Sequence, residues 1–274
     1  MKIIIVAECG INHNGSLRMA EALICQAKRS GCDYVKFQKR TPECCVPEHM
    51  RDTMRDTPWG RITYMEYRER IEFGKAEYAQ IDEICRREGI DWFASAWDVP
   101  SAVFLYDMHH DHIKIPSARL TDDVLLAYCR ANFGTLILST GMSTEAEIEH
   151  AVSLARPEWL LHTHAVYPAK CEELNLSYIQ WLHQKYPELK VGYSGHEYGL
   201  VTSFSACGLG ARMIERHITL DRTQWGSDQA ASVEPCGLDK LVRGIRDIEI
   251  AIGSGGPRKV TVSEQTKRQQ LRGS

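Results

Sequence analysis

Two histidines each close a short apolar run: His196 after Val191-Gly192-Tyr193-Ser194-Gly195, and His217 after Met213-Ile214-Glu215-Arg216. Imidazoles at the ends of successive strands could converge on one metal ion. A satisfied histidine at each strand end is the plainer alternative. Two lysines are embedded just as unusually, Lys36 in Tyr34-Val35-Lys36-Phe37 and Lys114 in Ile113-Lys114-Ile115. A charge inside an apolar strand is costly unless it is paired. Either each lysine has a carboxylate partner, or the two form a cationic pocket for a phosphate or carboxylate. Hydroxyls at Ser117, Ser139 and Ser194 would assist such a pocket. The Ser139-Thr140-Gly141-Met142 turn could offer backbone N–H groups to the same anion. A strand lysine can also form a Schiff base, so position alone leaves its role open.

These residues need strands to carry them. Apolar runs at 3–8, 34–38, 92–95, 112–115, 136–140, 159–163, 190–194 and 213–217 read as strands. Helical periodicity occupies 16–31, 76–88, 101–108, 122–132, 144–156, 177–186, 200–210 and 237–252. Thr144 with Glu147 makes a capping box. Strand–helix alternation of this kind predicts an α/β protein, a (β/α)8 TIM barrel over residues 1–253. A Rossmann sheet is disfavoured, because no G-x-G-x-x-G follows the first strand. A polar excursion at about 39–64, broken by Pro42, Pro47 and Pro58, is too long for an ordinary βα loop. The tail, 254–274, is rich in Gly, Lys and Gln and reads as partly disordered. Barrel chemistry sits at the carboxyl ends of the strands, which makes the polar residues there the candidates.

Composition narrows the class. The 274-residue chain carries a net charge of −3, with no basic face for nucleic acid. No apolar run approaches the roughly 20 residues that span a bilayer, and the expectation is a cytoplasmic enzyme of small molecules. The ten cysteines include no C-x-x-C pair and read as reduced, small hydrophobes. A homo-oligomer is compatible with the base rate of symmetric assemblies.

Six motifs occur together and in order: Ala7-Glu8-Cys9-Gly10-Ile11-Asn12-His13-Asn14-Gly15, Val35-Lys36-Phe37-Gln38, Lys114-Ile115-Pro116-Ser117, Ile137-Leu138-Ser139-Thr140-Gly141-Met142, Tyr193-Ser194-Gly195-His196 and Glu215-Arg216-His217. Jointly they resemble the sialic acid synthase family over nearly the whole chain. The resemblance implies a TIM barrel that condenses phosphoenolpyruvate with an N-acetylmannosamine-type aldose, releasing phosphate. It implies a divalent metal, Mn2+ first, with Mg2+ or Co2+ as alternatives, on His196 and His217. It assigns Lys36, Lys114, Ser117, Ser139 and Ser194 to phosphoenolpyruvate, with Ser95 near a phosphate-binding threonine of relatives. Glu8, Gln38, Tyr167 and Asp228 fall where relatives contact the sugar, and Glu8, Lys36, Lys114 and His217 are the catalytic set.

The chain departs from the family pattern in three places. Arg119 stands where many relatives carry an acidic residue, and predicts either a relocated proton transfer or an altered catalyst. Ala165 replaces a small polar residue, for which His164 is a candidate substitute. The sequence ends where relatives begin the linker to an antifreeze-like domain. The 39–64 loop is then a candidate cover for the mouth, with Trp59 and Tyr64 as its surface. Three rival readings remain. One is a 3-deoxy-ulosonic acid phosphate synthase, which would want a Cys ligand and further basic residues for a sugar phosphate. Another is a metal-dependent hydrolase built on His162-Thr163-His164. The third is a non-catalytic ligand-binding barrel.

Overall fold

Alternation along each strand decides which side chains meet at the barrel axis and which meet the helices. The computed structural model describes residues 2–253 and 255–273. Its strands are β1 (Ile4–Gly10), β2 (Tyr34–Lys39), β3 (Met54–Thr57), β4 (Gly60–Thr63), β5 (Asp91–Ala96), β6 (His112–Ile115), β7 (Thr135–Ser139), β8 (Trp159–Thr163), β9 (Lys190–Gly195) and β10 (Met213–His217). Eight of them close a barrel in the order β1-β10-β9-β8-β7-β6-β5-β2. The fold is the expected (β/α)8 barrel, and every expected strand and helix is present with ends within two residues.

Two layers of core follow from the alternation. Val6, Phe93, Ile137, Trp159, Leu161 and Met213 fill the barrel interior as one cluster. Their neighbours of opposite parity, such as Ile5, Ala7, Val35, Phe37, Ala94, Ile113 and Ile214, pack outward under the helices in the main core. Two residues further along the inward row, the same parity brings Glu8, Ser95, Ser139 and Glu215 to the mouth. Register then sets their neighbours: Glu8 pairs with Lys36 and with His217, Ser95 with Lys114, and Glu215 with Ser194.

The 39–64 excursion is not an irregular loop. It contains a helical turn (Pro42–Cys45), a 3-10 turn (Glu48–Met50) and the antiparallel hairpin β3–β4, with Met54 opposite Thr63. The hairpin strands have only four residues each and are largely exposed, so no alternation of apolar residues announces them. A helix (Tyr64–Ile71) follows at once, opened by a capping box between Thr63 and Glu66. Ile11, Tyr67 and Ile71 form a satellite cluster there, backed by Trp59, Ile62, Tyr64 and Trp225. The tail carries a helix as well (Val262–Arg272), opened by a capping box between Thr261 and Glu264. It buries none of its residues, and that is why no apolar stripe signals it.

Candidate active site

Lys36 and Lys114 are both buried, and both are paired. Lys36 Nζ lies 2.6 Å from Glu8 Oε2 and 2.8 Å from Ser95 Oγ. Lys114 Nζ lies 2.6 Å from Glu215 Oε1, which also accepts from Ser194 Oγ at 3.0 Å and sits 3.7 Å from Lys36 Nζ. Burial pushes the Glu215 carboxyl up, but Lys114 and Lys36 outweigh it and hold it below its usual range. Burial lowers Lys114, with Glu215 opposing. Two cations therefore face two carboxylates and cancel. The lysines thus have the carboxylate partners of the first reading, and these ion pairs themselves line a cavity.

That cavity, with about 530 Å³ of empty space, opens at the mouth. Of the residues singled out from sequence, Glu8, Lys36, Gln38, Ser95, Lys114, Ser117, Ser139, Tyr167, Ser194, His196 and His217 all line it. Asp228 does not. It lines a second cavity beside the first, with its Oδ2 3.4 Å from His217 Nδ1. Gln38 and Tyr167 line both. Gln38 Nε2 donates to Glu8 Oε1 at 2.7 Å. Gly10 makes this approach close: its φ is +52°, and a Cβ there would sit 3.2 Å from both Gln38 Nε2 and Glu8 Oε1.

Ser139 Oγ is buried with no hydrogen-bond partner. An unpaired buried hydroxyl costs about 1–3 kcal/mol, which an anionic ligand would recover. Next to it, the Gly141 amide donates to Ser117 Oγ at 3.1 Å. A Cβ at Gly141 would stand 2.8 Å from that same oxygen. The turn after β7 thus orients a serine hydroxyl at the cavity wall with its own amide.

His196 Nδ1 is 2.7 Å from the His164 carbonyl oxygen and so carries the proton. Its Nε2 lone pair points to the Tyr167 hydroxyl at 2.9 Å. Burial, with the His217 ring close by, drops His196 to about 3 and keeps it neutral. The His196 and His217 rings have centroids 5.4 Å apart, and His217 Nδ1 has no hydrogen-bond partner. A neutral imidazole whose lone pair meets only a hydroxyl, which a cation could displace, stands beside a second, under-satisfied imidazole, and the two together fit a divalent cation. Among the described residues no group of three His, Cys, Asp or Glu forms a closed ligand set. An ion here would keep positions open for substrate oxygens.

Several sequence candidates fall elsewhere. His162 faces outward, its Nε2 2.6 Å from the Leu174 carbonyl and its ring among Tyr178 and Tyr193. His164 turns to Glu173, 3.4 Å away, and does not line the cavity. The hydrolase motif is therefore undone by parity: Thr163, between them, is the residue that faces in. His164 does not stand in for Ala165 either, because Ala165 itself lines the wall. Arg119 points to Cys45 Sγ at 3.6 Å and Asp122 at 3.9 Å, while Ala118 faces the cavity. Arg216 turns outward into a buried pair with Glu197 at 2.9 Å. Glu215 is the site residue that sequence reasoning failed to single out, although it shares the parity of His217. Arg40 and Arg68, which line the second cavity, were also missed.

Comparisons with known proteins accord with this fold. The NeuB family profile matches residues 23–256. N-acetylneuraminate-9-phosphate synthase of Drosophila melanogaster is 36% identical over 256 residues, covering 91% of this chain and 68% of that protein. N,N'-diacetyllegionaminic acid synthase of Legionella pneumophila is 33% identical, covering 93% of this chain and 74% of its own. A solved structure of N-acetylneuraminic acid synthetase from Leptospira borgpetersenii, in complex with citrate, superposes with a TM-score of 0.86 at 33% identity. It covers 99% of this chain and 93% of the other. A profile match over most of the barrel, together with such relatives, establishes that the chain belongs to the NeuB family of sialic acid synthases.

Proposed function

We propose that this chain condenses phosphoenolpyruvate with an open-chain aldose, giving a nonulosonic acid of the sialic type and phosphate. One observation carries the reading: Lys36, Lys114 and Ser194 all converge on a single carboxylate oxygen, Glu215 Oε1, inside a cavity rimmed by His196 and His217. Donors arranged around one acidic oxygen are what a substrate carboxylate or phosphate would need.

In the reaction the enol carbon C3 attacks the aldehyde carbon, and positive charge develops at C2. Water adds at C2, and the C2–O bond breaks to release phosphate. Lys36 and Lys114 hold the anion, with Ser139 Oγ as a free donor. Preorganised donors in a dry site need no reorganisation as charge moves. Glu8 meets Lys36 with one oxygen and Gln38 with the other, and so fixes the Gln38 amide in the wall on the acceptor's side. A divalent cation on His196 and His217 would supply the positive charge that the balanced lysine–glutamate foursome lacks, and a Lewis acid for the aldehyde oxygen.

The test is incubation with phosphoenolpyruvate, Mn2+ and a panel of aldoses including N-acetylmannosamine, mannose and their 6-phosphates, following phosphate release and phosphoenolpyruvate loss. Matched release and loss with an aldose is the expected outcome. Binding of phosphoenolpyruvate without turnover on any acceptor would instead make this a ligand-binding barrel.

A further inference from the structure

The second cavity, with about 640 Å³ of empty space, shares Gln38, Trp97 and Tyr167 with the first. Its walls bring together Arg40 and Arg68, both more than nine-tenths buried. Burial of two guanidinium groups side by side is expensive, and charge this dense needs a counter-charge. The protein supplies little of it. Arg40 Nη1 has no hydrogen-bond partner, and its nearest carboxylate oxygen, Glu72 Oε1, is 3.9 Å away. Arg68 makes no ion pair among the described residues. Glu72 is shared further with Lys39, 3.6 Å from its Oε2. Asp98, close by, is committed to Thr41, Ser101 and Cys45. Asp228 is the remaining carboxylate on the wall, and it faces His217.

Arg40 is also aimed. Its guanidinium carbon lies over the Trp97 ring, 3.8 Å from the centroid, and its Nη2 donates to Gln38 Oε1. Gln38 in turn donates to Glu8, so a continuous chain of contacts, Lys36–Glu8–Gln38–Arg40, joins the two cavities. A planar fork fixed by stacking, with one edge unpaired, matches a phosphoryl group better than a point charge would. Such a group would lie one cavity away from the reacting aldehyde, as the far end of a sugar chain would.

We infer that the Arg40–Arg68 cavity is a subsite for the phosphoryl group of a phosphorylated aldose, which makes the acceptor a sugar phosphate rather than a free sugar. The inference rests on the condensation reading for its chemistry and, for its specificity, on the Arg40 edge left without a hydrogen bond beside a second guanidinium that has no carboxylate partner among the described residues. The basic residues for a sugar phosphate, not evident along the chain, are assembled by the fold from the start of the 39–64 excursion and from the helix after it.

The experiment compares kcat/KM for N-acetylmannosamine against its 6-phosphate, and mannose against mannose 6-phosphate, in the Mn2+-loaded enzyme. The phosphorylated sugar is expected to be preferred. In Arg40→Gln and in Arg68→Gln that preference should fall about 10- to 100-fold, through KM, as for loss of a hydrogen bond between charged groups. Arg68→Lys should retain part of it and guards against a variant that fails to fold. A parent enzyme that uses the free sugars equally well, or a preference unchanged in both Gln variants, would overturn the inference. Should no aldose turn over, the condensation reading fails, and calorimetric titration with mannose 6-phosphate decides the subsite alone. Binding that both Gln variants lose supports it, whereas no binding, or binding of inorganic phosphate only, overturns it.

Discussion

Glu215 Oε1 and Lys114 Nζ, 2.6 Å apart and both buried, form the floor of the mouth. The pair gives a lysine buried in an apolar strand an internal carboxylate partner. Removing one partner of a buried pair leaves the other uncompensated, at a cost of about 3–5 kcal/mol. Glu215→Ala should therefore lower the free energy of unfolding by about that amount, measured by urea denaturation. Glu215→Gln keeps the volume and adds one net positive charge to the cavity, so KM for phosphoenolpyruvate should fall while kcat also falls. A Gln variant with unchanged KM and kcat would remove Glu215 from the site's electrostatics.

His217→Ala and His196→Ala should each abolish Mn2+ binding in a calorimetric titration, and turnover with it. Chelation of the parent should reproduce the loss, with recovery on adding Mn2+. Persistent metal-dependent turnover in His217→Ala would sink the ligand assignment.

Arg119 occupies the place of an acidic residue in many relatives, and on sequence alone Arg119→Glu would be expected to raise turnover. The side chain lies against Cys45 and Asp122 instead of in the cavity at the barrel mouth. The expected result is now no gain in kcat for Arg119→Glu. A rate increase would show that this position reaches the reacting atoms.

At the other end of the barrel, Asp33 accepts from the Ile5 amide at 2.9 Å and from Arg246 Nη2 at 2.8 Å, tying β1 to the last barrel helix (Pro235–Ala251). Burial raises its carboxyl, but Lys2, the Ile5 amide and Arg246 outweigh this and hold it below its usual range. A carboxyl depressed in the folded state stabilises above its unfolded pKa of about 3.9, and that contribution fades as pH falls through the folded value. Asp33→Asn should cost about 2 kcal/mol at pH 7. Melting curves of parent and variant should converge at the acid end; a gap that stays constant down to pH 2 would contradict the linkage.

Fold and much of the site could be read from the chain because both rest on local pattern. Lys36 and Lys114 stood out as charges inside apolar strands, and His196 and His217 as the ends of such strands. Parity was the signal left unused. Counting in twos from His217 reaches Glu215 and Met213, and counting in twos from Thr163 excludes both His162 and His164. Arg40 and Arg68 gave no such signal. They lie 28 positions apart, and only the hairpin and its following helix bring them to one wall.

The satellite cluster of Ile11, Tyr67 and Ile71, with Trp59, Ile62, Tyr64 and Trp225, is separate from the main core. The hairpin and its helix therefore pack on the loops that follow β1 and β10, through Ile11 and Trp225, instead of on the strands themselves. Changes there need not disturb the strands that hold Lys36, Lys114 and the histidines. Such a layout would let the segment vary in sequence as a cassette, so that under the proposed reaction acceptor choice could diverge while the strands beneath it stay unaltered.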